Sequence, residues 1–305
     1  MSTLLTDEQI EHFIQYGFLH LPSSIEVSPG SVAHRWVEES WARNGLDPDD
    51  LASWPVDKVH MPNTESRAVR EFAPNVWTAM CELAGGEERL AGNPSFGNGF
   101  VLNFGWGRDK PWVPPGPDAE GWHKDGDFFL HFMDSPEQGL LIVVYYSDVG
   151  EKGGGTFIAP DSIGVVARFL AEHPEGVHPF GFPRGEKALI RQCRDFREVT
   201  GKAGDVFLLH PYMLHASSRN HSQVARFMTN PCIRLAEPMV FNRTDGSVTS
   251  PIEKAVLRGI GRESYDFVPV APRCEIIPPR VAAQRELLRK EEERRRAREA
   301  EAVAG

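Results

Sequence analysis

The chain has 305 residues, a formal net charge of -10 and 41% hydrophobic residues, enough to bury a sizeable core. The acidic balance excludes a general nucleic-acid binder, which draws most of its affinity from a basic surface, and no apolar run is long enough to cross a bilayer. Cys81, Cys193, Cys232 and Cys274 form no CxxC pair, so neither a zinc ribbon nor a disulfide scaffold is indicated. The opening Met1–Glu8 lacks a basic region before an apolar core, and the closing Ala302-Val303-Ala304-Gly305 is not a peroxisomal signal. The expected compartment is therefore the cytoplasm.

In chain order, Thr6-Asp7-Glu8-Gln9 reads as a capping box, followed by Ile10, Phe13 and Ile14 at helical spacing. Phe18 to Pro22 reads as a short strand in which His20 alternates with apolar neighbours, as a structural or surface histidine would. Residues from about Pro29 to Leu90 read as mainly helical, with Trp36, Trp41, Trp54 and Trp77 as core or groove residues. Gly97 to Trp106 predicts the first strand of the main sheet. The proline-rich stretch Arg108 to Gly121 predicts a loop, where Trp106, Arg108, Lys110 and Trp112 are candidates for substrate selection. Gly139 to Ser147 is a near-continuous apolar run, as expected of a strand buried on both faces. Gly153-Gly154-Gly155 leads into a short strand at Thr156 to Pro160. No Gly-Lys-Ser/Thr follows it, so it is not a phosphate loop. Ser162 to His173 predicts a helix, and Val177 to Arg197 carries no assignable pattern. Ala203-Gly204-Asp205 predicts a turn before the strand Val206 to His210. Val224 to Leu235 predicts a strand carrying Arg226, whose buried charge needs a carboxylate or an anionic ligand. Arg280 to Glu301 is dense in charge, reading as a solvated helix or frayed tail with pairs such as Glu286 with Lys290.

The chemistry gathers at Trp122-His123-Lys124-Asp125-Gly126-Asp127. A His and an Asp two apart on an extended strand project to one face, with Lys124 pointing away. A third ligand comes from His210 or His215. Two imidazoles and one carboxylate on one face of a metal, with the other face open, suit non-haem Fe(II) and O2 chemistry. If His215 ends one strand and Arg226 lies on its antiparallel return, the guanidinium sits near the metal. It can then grip the far carboxylate of a chelating dicarboxylate, and Ser217 can add a hydroxyl. Asn103 is a further candidate cosubstrate contact, with a sheet-end hydrogen bond as the alternative. Phe128, Phe129 and Trp106 are candidate substrate walls, or core.

These residues resemble a known family. The opening Thr6 to Phe13 with Gly17-Phe18-Leu19, the Trp122-His123-Lys124-Asp125-Gly126 motif, Gly154 to Pro160, and Gly204-Asp205 with Leu214-His215-Ala216-Ser217, Asn220 and Arg226 are similar to the phytanoyl-CoA hydroxylase-like branch of the Fe(II)/2-oxoglutarate dioxygenases. The resemblance covers roughly residues 5 to 235. It implies a mainly β protein with flanking helices, a double-stranded β-helix (cupin-like jelly roll). It also implies His123, Asp125 and His215 as iron ligands, Arg226 and Ser217 as holders of the 2-oxoglutarate carboxylate, and O2 as the other cosubstrate. One domain is expected over 1–279, with a helical part to about 95 and a jelly-roll core over about 97–240. A charged helix or tail follows over 280–305. Many relatives continue Ala159-Pro160 with Gly-Ser-His where this chain has Asp161-Ser162-Ile163. The presence of Asp125 disfavours the halogenase variant, which leaves that place for chloride. The expected reaction oxidises a C–H bond of a small metabolite or natural-product intermediate, with release of succinate and CO2. Two alternatives stay open: a cupin-like isomerase or hydrolase that does not use 2-oxoglutarate, and a non-catalytic small-molecule-binding barrel.

Overall fold

The computed structural model describes residues 4–179, 188–244 and 246–304. Met1–Thr3, residues 180–187 (within the stretch that carried no assignable pattern), Asp245 and Gly305 lie outside it. The helices are α1 (Asp7–Tyr16), α2 (Val32–Asn44), α3 (Val69–Phe72), α4 (Pro74–Ala84), α5 (Ser162–Ala171), α6 (Pro251–Ile260) and α7 (Arg280–Ala304). The strands are β1 (Phe18–Leu21), β2 (Val59–His60), β3 (Ser66–Ala68), β4 (Ser95–Gly97), β5 (Val101–Asn103), β6 (Leu140–Tyr145), β7 (Thr156–Ala159), β8 (Arg197–Val199), β9 (Val206–Leu209), β10 (Leu214–Ser217), β11 (Arg226–Thr229) and β12 (Cys232–Ile233). Among the described residues no helix is long and apolar enough to cross a membrane.

Two antiparallel sheets make the core. One runs β1-β9-β6-β11-β5-β2 with β12 also on β6, and the other runs β10-β7-β8. His123 adds a single-residue bridge to His215 at the free edge of the smaller sheet. Going along the chain, β5, β6, β9 and β11 fall in the larger sheet, while His123, β7, β8 and β10 fall in the smaller. That repeated crossing between sheets is the double-stranded β-helix. Tyr145 at the end of β6 donates its hydroxyl to the Val199 carbonyl of β8 at 2.8 Å, tying one sheet to the other.

Each strand's alternation explains which side chains reach the interior between the sheets. On β6, Leu141 and Val143 line a cavity there. Leu140, Ile142 and Val144 are buried on the opposite face, so the run has no polar positions. On β11, Arg226 and Met228 enter the cavity, while Phe227 packs against Trp41 of α2, Phe100 and Phe104. Trp54 also packs on Phe104 and Trp36 on Tyr146, so Trp36, Trp41 and Trp54 cover the outer face of the larger sheet.

Several local patterns form as their residues dictate. Thr6 and Gln9 close a capping box on α1. His20 stacks on Phe207 and bonds Asp205, whose carboxylate also accepts the backbone N–H groups of Ser23 and Lys202, each at 2.9 Å. This locks the β1–β9 edge. Helices α5 and α6 cross at Gly164 and Gly259, where a Cβ on Gly164 would stand 2.6 Å from the Gly259 carbonyl oxygen.

Three expectations need correction. Val224 to Leu235 is not one strand: Pro231 lacks an N–H, and the ladder breaks into β11 and β12. The first long strand is also shorter than expected, with β4 and β5 separated at Asn98-Gly99-Phe100. Lastly, β10 and β11 are not antiparallel partners, because residues 218–225 carry the chain from one sheet to the other. Arg226 therefore meets His215 across the cavity instead of along a hairpin.

Candidate metal centre and cosubstrate cavity

His123 is held by a two-way backbone bridge: its N–H donates to the His215 carbonyl and the His215 N–H to its own, both at 3.0 Å. The expected extended strand is reduced to this one residue, and Asp125 lies in a bend beyond it. The two side chains still converge. Nε2 of His123 lies 3.3 Å from Asp125 Oδ1, and Nε2 of His215 lies 3.5 Å from the same oxygen. One ligand atom from each residue falls within 4.8 Å of the others.

Hydrogen bonds set the imidazole tautomers. His123 Nδ1 donates to the Gly121 carbonyl at 2.7 Å, and His215 Nδ1 donates to the Met213 carbonyl at 3.1 Å. Both Nε2 lone pairs are thereby left for a metal, as such outer hydrogen bonds do in metal sites. In the metal-free site burial alone would raise the Asp125 carboxyl, but the charge of His215 and hydrogen bonds from both imidazoles, lost when a metal takes the Nε2 atoms, hold it well below the usual carboxylate range. Burial would lower His215, yet Asp125 outweighs it and the imidazole is raised. First-row metal bonds of about 2.1 Å place neighbouring donors about 3 Å apart, so the spacing suits an ion.

His210, the competing ligand, is 0% exposed and committed elsewhere. Its Nε2 donates to the Ile252 carbonyl at 3.2 Å and its Nδ1 accepts the Tyr212 N–H at 3.1 Å. Burial pushes it down to about 3. The unfolded chain takes up that proton near the ordinary imidazole value while the folded chain does not. Stability is therefore full above about 6.5 and falls with acidification at up to about 1.4 kcal/mol per pH unit. Urea unfolding between pH 7 and 4.5 should show this slope, and His210→Gln should flatten it.

The cavity holds about 470 Å³ between the sheets and is lined by the three cluster residues, Ser217, Thr156 and Arg226 among others. Arg226 is 1% exposed. Its Nη1 donates to the Gly154 carbonyl and its Nη2 to the Val101 carbonyl at 3.5 Å, while Nε finds no partner among the described residues. Among the described residues no carboxylate pairs with it, and burial pushes the guanidinium down to about 10. The glycine triplet thus serves backbone geometry. Gly154 has φ +80°, and a Cβ there would stand 2.7 Å from Asn103 Nδ2.

Ser217 faces Thr156 in register on β7. Asn103 sits opposite Arg226 on β5 and is not among the residues lining the cavity, in keeping with the hydrogen-bonding alternative. Its Oδ1 accepts the Trp106 N–H at 2.9 Å and its Nδ2 donates to the Ser218 carbonyl at 3.4 Å, so its amide is spent on the turn. Of the expected substrate walls, Phe128 lines the cavity, whereas Phe129 is buried against His131. Trp106 lies under the Lys58 ammonium and Trp112 packs on Phe157. Neither they nor Arg108 and Lys110 line the main cavity. The sequence reading missed Lys58, His60, Thr156, Arg280 and Gln284. Thr156 stood inside a noted motif, but the others carry no local signal and reach the cavity only through the fold.

A jelly roll that presents two imidazoles and a carboxylate to an interior cavity defines the class of metal-dependent cupin-like barrels. Within it, the family model for phytanoyl-CoA dioxygenase (PhyH) matches residues 13–228. The chain belongs to that family and is a dioxygenase. It is also similar to an L-proline trans-4-hydroxylase of Streptomyces griseoviridis, 25% identical over 202 residues, 62% of this chain and 69% of that protein. Among solved structures it is similar to the non-heme alpha ketoglutarate dependent carbocyclase SnoK from nogalamycin biosynthesis, with 16% identity, 77% of this chain and 86% of that one covered, and a TM-score of 0.44. It is likewise similar to HygX from Streptomyces hygroscopicus with nickel and 2-oxoglutarate bound, with 17% identity, 76% and 88% covered, and a TM-score of 0.41.

Proposed function

We propose that the protein is an Fe(II)- and 2-oxoglutarate-dependent oxygenase that oxidises a C–H bond of a small polar metabolite or natural-product intermediate. The observation that carries this reading is Arg226, a buried guanidinium with no carboxylate partner among the described residues, in the same cavity as the His123-Asp125-His215 cluster. A buried cation of that kind is costly unless an anion completes it. A dicarboxylate chelating a metal at the cluster is such an anion. An isomerase or hydrolase of the same fold has no need of it.

In this reading His123, Asp125 and His215 hold the iron, and Arg226 with Ser217 holds the far carboxylate of 2-oxoglutarate. When bound, iron with 2-oxoglutarate supplies activation of O2, succinate and CO2 being the cosubstrate products. The chain's own part is positional. The Gly121 and Met213 carbonyls fix the two imidazole planes, and the Gly154 carbonyl steers the guanidinium. Val101, Leu141, Val143 and Met228 line the same space and keep water from the reacting centre. The volume lies in the range of small-molecule sites, and the relative's name makes an amino acid such as L-proline the first substrate to try. Residues 1–279 would form one catalytic domain carrying the charged helix of 280–305. The four free cysteines suit a reducing compartment, the cytoplasm.

Anaerobic optical titration with Fe(II) and then 2-oxoglutarate tests the proposal. A weak visible charge-transfer band should appear only with both present. Iron binding without a band would overturn the oxygenase reading in favour of the isomerase or hydrolase.

A further inference from the structure

After α6 the chain returns over the metal cluster. The Leu130 N–H donates to the Cys274 carbonyl at 3.1 Å and the Ile276 N–H to the Phe128 carbonyl at 2.8 Å, with a bridge between Phe129 and Glu275. This antiparallel stitch makes α7 begin beside the loop that bears Asp125. Arg280 and Gln284, one helical turn apart, then line the cavity. Both carboxylate oxygens of Asp127 accept from Arg280, from Nε and Nη2, each at 2.6 Å, and Gln284 Oε1 accepts from Nη1 at 3.0 Å. Further along, Arg43 of α2 pairs with Glu291 at 2.9 Å. The charged segment is thus a docked wall of the cavity, and it lies outside the family match, which ends at residue 228.

The cavity lining carries Lys58, Lys124, Arg226 and Arg280 against Asp125 and Asp127. A divalent ion and a dicarboxylate neutralise each other, so the positive excess remains for the substrate. Lys124 is buried and spends its ammonium on His131 and Gln138, and Lys58 stands over Trp106. Arg280 is left at the mouth. We propose that Arg280 anchors the substrate by taking the carboxylate of a small polar acid in the fork that Asp127 fills in the free protein. The inference rests on the oxygenase reading of this cavity. Asp127 already seats a carboxylate on this fork through both oxygens, so a carboxylate is the group that the resident contact matches. With the Arg280 side chain 48% exposed and Asp127 24% exposed, solvent reaches and screens the pair, so a substrate carboxylate can exchange with Asp127.

The test is anaerobic calorimetry of the full chain with Fe(II) and 2-oxoglutarate, using matched probes. These are L-proline and other small amino and hydroxy acids, their carboxamides, and phosphate monoesters of similar size. At least one acid should bind about tenfold more tightly than its carboxamide and than the phosphate esters. Arg280→Gln should weaken that acid by about tenfold or more and leave its carboxamide within about twofold, with Arg280→Lys in between. Acid and carboxamide weakening together would make the residue a mere latch and overturn the assignment. So would the same acid-selective loss in Arg43→Gln, which frees only the far end of α7. A wild type that prefers no acid over its carboxamide, or prefers a phosphate ester, also overturns it. The optical band of the same samples separates the two readings. Its absence condemns the oxygenase proposal, and its presence without acid preference condemns only the role of Arg280.

Discussion

Alanine at His215 should leave a folded protein that neither retains iron nor turns over. The imidazole stands opposite His123 in a two-way backbone bridge that does not use its side chain, so the main chain keeps its bonds. What is lost is one Nε2 donor and the partner that helps hold Asp125 ionised in a buried place. A catalytic metal supplies several kcal/mol of stabilisation to the reaction it serves, so turnover should fall by roughly a thousandfold or more. Succinate release and bound iron, measured on the same sample, check this. His210→Gln is the contrasting variant: it should keep its iron and lose stability, since His210 bonds only core groups. Iron and substantial turnover surviving in the His215 variant would show the ligand set to be wrong.

The second large effect has opposite signs in stability and in function. Arg226→Met should bind 2-oxoglutarate at least about a hundredfold more weakly, because removing one side of a buried charge pair costs roughly 3–5 kcal/mol. The same change should leave the metal-free protein as stable as before, or more stable by about 1–3 kcal/mol, as when buried charges give way to apolar side chains of similar volume. The reason is that the native guanidinium is buried with an unpartnered Nε and no carboxylate among the described residues. Its bonds to the Gly154 and Val101 carbonyls only partly compensate. Urea unfolding of the metal-free protein and cosubstrate titration of the iron form give the two numbers separately. A strongly destabilised variant with normal cosubstrate affinity would make Arg226 a structural residue.

Short-range chemistry made much of this molecule legible. The Thr6–Gln9 box, the buried β6 run, the β7 and β9 strands and α5 all depend on neighbours within a few residues, and each formed where its pattern lay. The His123, Asp125 and His215 cluster was legible too, as residue types at telling spacing, and the structure brings all three together. Its local geometry was read less well. The extended strand proposed for His123 and Asp125 is a one-residue bridge followed by a bend, and the two side chains converge all the same.

What the amino-acid order determined by itself was the family and the residue types of the His-Asp-His cluster, because these are written in local patterns; it also marked Arg226 as a charge that would be costly to bury unpaired. Only the tertiary structure decided that β10 and β11 lie in opposite sheets, so that His215 and Arg226 face one another across a cavity. It also decided that the Asn103 amide is consumed by a turn, and that Lys58 and His60 reach that cavity. It placed Arg280 against Asp127, 153 residues apart in the chain. These follow from how sheets close and where a returning segment docks. Contacts over such separations are set by the packing of the whole barrel and leave no periodicity near the residues that make them.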